Sequence, residues 1–345
     1  MEYGVYLNTQ APPDGRELPR VYAELLETVQ VAEAAGFDWC FIPEHHQQPD
    51  GYLPSPFVMA GAIAATTKKI GIATGVHILP IWDPMRVAED AAVVDILSGG
   101  RFMLGAGLGM VEREFHQFGT KISTAVSRFE EQIDILRRAW SSEPVTFSGQ
   151  HFAYDAVDVR PKPLQKNFPL MIGGMSDAAV ARAGRLGDGW LTDPLHSVTS
   201  LQAWAELYRT AAANAGRPSK IWLQRDCWIT EDPDELLDVW APKLVEDWRF
   251  YFNLGLFSSG RFNPKAEAWI GEVTSAEDIT FDKLSEDRVV AGNPEQVQAS
   301  LDSAVEKLDP EGVALRFRYP HGPSHEATLR SIRLFGEKVI SRQRQ

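Results

Sequence analysis

Residues 69–107 read KIGIATGVHILPIWDPMRVAEDAAVVDILSGGRFMLGAG, and the period of the stretch changes twice along its length. KIGIATGV (69–76) is a short, strand-like apolar run. ILPIWDP then leads into a segment at about 85–97 whose apolar residues return at helical spacing, and RFMLGAG (101–107) is strand-like again. A short apolar run, a longer helical segment and a second apolar run are the signature of βα units around a parallel sheet.

The same alternation extends in both directions. YGVYLN (3–8) precedes a helix over about 20–35 that ends at Gly36, and DWCFIP (38–43) precedes a helix over about 56–66. After a helix in RFEEQIDILRRAW (128–140), PVTFSGQHFAYDAVDVRPKP alternates apolar and polar residues around Ser148-Gly149, which predicts a β-hairpin insertion. PLMIGG (169–174), GWLTD (189–193), IWLQRDCWIT (221–230) and VALRFRY (313–319) bring the strand-like runs to eight. Eight parallel strands alternating with helices predict a (β/α)8 TIM barrel with its active site on the loops that follow the strands. No linker or low-complexity run divides the chain, so one domain over 1–345 is expected. One region breaks the rhythm. After a helix at about 234–248, the stretch 251–288 has no clean period, and 253–287 is expected to form a mobile lid after the seventh strand.

Composition narrows the function classes. The 345 residues are 44% hydrophobic and 23% charged, as in a globular protein with a sizeable core. A net charge of −13 opposes phosphate backbones and anionic lipid, so neither nucleic acid nor a membrane is an expected partner. No run reaches about 18 apolar residues, and the N-terminus lacks the basic and apolar segments of a leader; a cytoplasmic protein is expected. Cys40 and Cys227 each sit in an apolar run and read as buried small hydrophobes.

Two signals carry chemistry. Glu44, His45 and His46 directly follow the second strand, at the catalytic end of the expected barrel. They can form a hydrogen-bonded loop staple or a metal site with His77 as a further ligand. Adjacent strand residues point oppositely, and no HxH spacing accompanies them, which weighs against the metal. The second signal is glycine. LGAGLGM (104–110) has the spacing GxGxG rather than a dinucleotide fingerprint, and fits either a tight turn or close approach of backbone to a planar ligand. In IGGMSDAAVARAG (172–184), Ser176-Asp177 can cap a helix whose first turn is free of bulky side chains, an arrangement suited to an anion.

Several stretches, in order and at fitting intervals, resemble the bacterial luciferase-like flavin-dependent monooxygenases: AGFDWCFIPEHH (35–46), residues 55–90, DILSGGRFMLGAGLG (95–109), EFHQFG (114–119), PLMIGGMS with the later GDGW (187–190), and AGNPEQV (291–297). The resemblance implies a TIM barrel that uses reduced FMN or, in one branch, a deazaflavin coenzyme. The flavin is supplied by a separate reductase or held as a prosthetic group. It also implies O2 and a small, mostly apolar organic molecule as reactants. By the same resemblance His45 is the catalytic base. Gly75-Val76 falls where the family has a non-proline cis peptide, Thr74, Gly75, Val76 and Gly107 contact the flavin, and Gly174, Met175 and Ser176 hold its phosphate. Two departures stand out: Gly107 and Leu108 replace a cysteine and a phosphate-binding arginine, which leaves Arg113 and Arg160 as candidate cations. The alternatives are deazaflavin-dependent hydride transfer and a non-catalytic flavin-binding partner subunit.

FVMAGAIAATT and MRVAEDAAVVDIL, over about 56–66 and 85–97, carry small residues on more than one helical face, including Ala64 and Ala92. A barrel helix needs only one apolar stripe, and the resemblance places a dimer interface on these helices. A homodimer through them is therefore expected.

Overall fold

Eight parallel strands close on themselves: β1 (Glu2–Tyr6), β2 (Trp39–Ile42), β3 (Gly71–Thr74), β4 (Phe102–Gly107), β5 (Leu170–Gly173), β6 (Gly189–Leu191), β7 (Lys220–Ile229) and β8 (Gly312–Arg316). In this computed structural model, residues 1–11, 15, 17–253, 255, 257 and 267–344 are described. Neighbours in the sequence are neighbours in the sheet. Val5 pairs with Cys40, Cys40 with Ile72, Ile72 with Phe102, Leu104 with Leu170, and Met171 with Gly189. Ile221 on β7 faces Trp190 on β6, Leu223 faces Val313 on β8, and Tyr3 on β1 faces Val313, which closes the barrel. The eight strand-like runs of the sequence are these eight strands.

Each strand is followed by a helix on the outer wall: α1 (Leu18–Ala34), α2 (Pro56–Thr66), α3 (Pro84–Ser98), α4 (Ala125–Ala139), α5 (Asp177–Leu186), α6 (Val198–Asn214), α7 (Pro294–Leu308) and α8 (His325–Phe335). The punctuation is local. Asp83 caps α3, accepting from Met85 N at 2.8 Å ahead of Pro84 at the first helical position, and Gly99 ends that helix with φ +71°. Asn293 and Gln296 form a reciprocal capping box at the start of α7. The expected hairpin is present, with Phe147 opposite Tyr154 and Ser148 opposite Ala153. Cys40 and Cys227 are both buried, and burial pushes the Cys40 thiol up to about 12. Among the described residues no helix is long and apolar enough to cross a membrane.

The lower part of the barrel interior is filled by aromatic rings. A Cβ at Gly71 would lie 2.4 Å from the Trp39 ring, and one at Gly312 2.5 Å from the Trp222 ring. These glycines make room for indoles that line a cavity at the amino-terminal end, and a second cavity opens at the carboxyl ends of the strands.

Three features differ from, or add to, the sequence reading. The part of the presumed lid that is described, 267–287, is not structureless: Ala268–Glu272, Ala276–Asp278 and Phe281–Ser285 are short helical turns. Ile270, Ile279 and Leu284 from these turns pack against Trp228, Trp240 and Trp248 in a second core. The irregularly spaced tryptophans hold them there, so no period marks them in the sequence. Residues 254, 256 and 258–266 of the expected lid lie outside the described residues. The sequence reading also missed Val289–Gly292, a strand added parallel to the far end of β7, and the short strand His77–Ile78, paired with Ala106–Gly107. Finally, Ala64 and Ala92 are buried; the large apolar side chains that α2 and α3 expose are Val58, Val93, Ile96 and Leu97.

Candidate active site

A cavity of about 320 Å³ opens among the loops at the carboxyl ends of the strands. Its wall takes residues from around the barrel: Tyr6 from β1, Glu44 and His45 after β2, Gly75 and Val76 after β3, Gly107 and Leu108 at the end of β4, Gly174, Met175 and Ser176 after β5, Asp193 after β6, and Gln224 on β7. Seven of the eight residues that the resemblance assigns to catalysis or flavin contact therefore meet here. Thr74 does not line the cavity. Its hydroxyl donates to Gly105 O at 2.7 Å and accepts from Gly105 N at 2.9 Å, pinning β3 to β4.

The Glu44-His45-His46 cluster divides into two jobs. Glu44 is buried, and its carboxylate gathers four donors: His46 Nε2 (2.8 Å) and Trp82 Nε1 (2.9 Å) on Oε1, and His77 Nδ1 (2.5 Å) and Ile78 N (2.9 Å) on Oε2. Burial alone would raise its pKa; His77, His46 and Trp82 outweigh that and hold it at about 2. His46 is consequently the staple, locked onto Glu44 with its ring against Trp82 and Phe118. His77 joins the cluster as a second imidazole on the same carboxylate. His45 points elsewhere: its ring lines the cavity with 17% of the side chain exposed, against 4% for His46. Its Nδ1 lies 3.3 Å from Glu114 Oε1, which also accepts from His46 N at 2.8 Å, and the edge of Tyr52 supports it at 4.7 Å between ring centroids. With Nδ1 directed at a carboxylate, Nε2 is the nitrogen free to act as acceptor.

The glycines are explained by packing. The Gly75–Val76 peptide is cis, as the resemblance implies, and the Tyr6 hydroxyl donates to Gly75 O. Val76 presses on β4 so closely that a Cβ at Gly107 would sit 2.4 Å from Val76 Cγ2, and a Cβ at Gly105 would sit 1.9 Å from Thr74 O. The run 104–107 is thus a strand pressed against a loop, and the turn comes at Gly109, with φ +75°. After β5, Ser176 caps α5: its Oγ accepts from Ala179 N at 3.3 Å. Gly174 lets Ala179 approach, since a Cβ there would meet the Ala179 backbone at 3.0 Å.

Neither candidate cation lines the cavity. Arg113 is exposed and donates to Gln47 O at 3.1 Å, and Arg160 is exposed and paired with Asp158 at 2.9 Å. The cavity also holds residues that sequence reading missed: Tyr6, Tyr52, Tyr251, Gln224 and Asp193. Only Asp193 left a signal, as the polar end of the strand-like run GWLTD. Behind Tyr251 lies a buried ion triad, in which Arg316 Nε donates to Asp226 Oδ1 at 2.7 Å and Nη1 lies 2.8 Å from Asp247 Oδ2. Burial pushes the Asp247 carboxyl up to about 6, although Arg316 opposes it.

Residues 1–309 match the family model described as luciferase-like monooxygenase. The chain belongs to the luciferase-like monooxygenase family. Within that family, it is 29% identical over 188 residues to the alkanal monooxygenase alpha chain of the Kryptophanaron alfredi symbiont, a match covering 54% of this chain and 52% of the relative. It is 26% identical over 340 residues to the F420-dependent glucose-6-phosphate dehydrogenase of Nakamurella multipartita, covering 93% of both. The crystal structure of monooxygenase RslO1 from Streptomyces bottropensis shares the fold, with a TM-score of 0.82 at 24% identity, over 99% of this chain and 100% of that one.

Proposed function

We propose that this luciferase-like protein is a flavin-dependent monooxygenase that uses reduced FMN and O2 to oxygenate a small, mostly apolar organic molecule. The observation that carries the reading is the meeting, on one cavity, of the carboxylate-oriented His45 and the glycine backbone at Gly75, Gly107 and Gly174. The residues present fit the ring end of a flavin: backbone at Gly75, Gly107 and Gly174 is not screened by side chains of its own, and Val76, Ile78, Leu108 and Met110 are apolar. When bound, the reduced flavin supplies the oxygen chemistry. The chain's own contribution is threefold. His45 Nε2 takes up or releases a proton at the cavity wall, with Glu114 setting its tautomer. The apolar wall excludes water. Tyr6, Tyr52, Tyr251 and Gln224 offer the few polar contacts that orient the organic molecule.

The match to an F420-dependent dehydrogenase over 93% of the chain favours a second reading, hydride transfer with a deazaflavin. In the first reading a separate reductase supplies the reduced flavin, and in both the protein works as a homodimer through α2 and α3. Titration of the purified protein with FMN and with the deazaflavin, followed by absorbance, separates the two. Binding of FMN, and O2 consumption by the reduced complex coupled to an organic acceptor, is the expected result. A bound spectrum with the deazaflavin alone replaces the first reading with the second, and no bound spectrum with either overturns both.

A further inference from the structure

We propose that this chain recognises its flavin by the ring and the polyol chain rather than by the phosphate, with Asp193 as the acceptor for a chain hydroxyl, so that riboflavin binds as well as FMN. The inference rests on the flavin reading above and concerns what the cavity selects within it.

The charges of the cavity carry the argument. Among its described lining residues the titratable side chains are Glu44, Asp193, His45 and three tyrosines, and none is a lysine or arginine. Leu108 is an apolar part of the wall. A phosphate dianion is ordinarily held by charge-assisted donors, and arginine is the usual one. Here no side chain beside Ser176 that lines the cavity carries a positive charge. Asp177, the first residue of α5, places a carboxylate in the first turn and offsets the positive end of that helix, while Ala179 N is taken by Ser176 Oγ.

Asp193 is built to accept. Its Oδ1 takes Leu195 N at 2.8 Å, His196 N at 3.0 Å and His196 Nδ1 at 2.9 Å, whereas among the described residues Oδ2 meets only His196 Nδ1, at 3.0 Å. The carboxylate is therefore fixed in orientation with acceptor capacity left on Oδ2. Burial acts to raise its pKa, but His196 and the two backbone N–H groups hold it below the usual value, so it stays ionised near neutrality. The cation behind it, Arg225, does not line the cavity: it donates to the carbonyls of Asp193 (3.2 Å), Gln224 (2.7 Å) and His196 (3.0 Å). An oriented, ionised carboxylate repels a phosphate and attracts a hydroxyl, and the ribityl chain common to riboflavin and FMN supplies hydroxyls.

The test is a pair of titrations of the purified protein with riboflavin and FMN, followed by flavin fluorescence at low and high salt. The expected result is Kd values within about threefold of each other, with little salt dependence for FMN. Asp193→Asn, checked for a native circular dichroism spectrum, should weaken riboflavin by about tenfold and narrow or reverse that loss for FMN, because the repulsion is removed with the acceptor. A tenfold or greater preference of the wild type for FMN overturns the proposal while leaving the flavin reading standing, as does an Asp193→Asn variant that binds both flavins like the wild type. Failure of both flavins to bind the wild type overturns the flavin reading, and this proposal with it.

Discussion

His46 Nε2 donates to Glu44 Oε1 at 2.8 Å, and this contact separates two histidines that are adjacent in the chain. Tied to Glu44, the His46 ring is buried under Trp82 and Phe118, and the backbone that carries it turns His45 toward the cavity. A staple and a candidate proton-transfer group thus share one loop, and the first holds the second in place.

Glu44 makes the loop sensitive to acid. Its folded pKa, about 2, lies below the ordinary value of 4.5. Its contribution to stability is therefore fully present above about 4.5 and lost as the pH falls through about 2. Denaturant unfolding from pH 6 to pH 2 should show stability declining across that window. Glu44→Gln, which leaves four donors facing a neutral amide, should lower stability at pH 7 by about 3 kcal/mol and flatten the decline. An unchanged pH profile in the variant would remove Glu44 as its source.

The division of labour predicts opposite phenotypes for neighbouring residues. His45→Ala should keep the melting temperature and leave flavin affinity within about tenfold, while turnover falls by about 10²-fold, as for loss of a general acid or base. His46→Ala should instead destabilise the fold by about 1–3 kcal/mol, because it strips a donor from a buried carboxylate. Thermal melts and steady-state rates on both variants decide the matter; equal turnover in His45→Ala and wild type would make His45 a second staple.

The barrel was legible because each strand is a short apolar run followed by a helix with its own start and stop signals, such as Asp83-Pro84 and Gly99 around α3. His45 was legible because it follows a strand, where a barrel puts its chemistry. Tyr6, Tyr52, Asp193, Gln224 and Tyr251 were not, since residues so far apart in the chain meet only when the sheet closes. Alanine misled the reading of α2 and α3: Ala64 and Ala92 suit an inward face as well as an outward one, and the sequence does not say which they take. Val289–Gly292 carries no pattern of its own, and is a strand only because β7 runs long enough to pair with it.

Glu267 anchors the described end of the excursion after β7. Its buried carboxylate accepts from Ser197 N at 2.7 Å, Trp269 Nε1 at 2.9 Å, the Ser200 hydroxyl and the Arg288 guanidinium, which ties 267–288 to the start of α6. Arg288→Met leaves that carboxylate without its cation and should cost about 3–5 kcal/mol. Limited proteolysis should then cut within 267–288 at a protease concentration that leaves the wild type intact there. A variant as resistant as wild type would show that the tryptophan cluster holds the segment without the ion pair.

Assembly gives the last test. Val58 is 74% and Leu97 59% exposed, with Val93 and Ile96 also exposed on α3, and α2 and α3 are neighbours on the outer wall. Four branched apolar side chains on adjacent helices form a patch that water solvates poorly, and a second copy related by a two-fold axis would cover it with the same patch. Light scattering should therefore give the wild type twice the 38.4 kDa mass of one chain at micromolar concentration. Replacing Val58 and Leu97 together with arginine should yield a monomer with the wild-type circular dichroism spectrum, because neither side chain contributes to the core. The same substitution at Ala64 and Ala92 would report on folding instead, since both are buried. A wild-type mass of one chain would refute the dimer, and a double variant that stays dimeric would move the interface to another face.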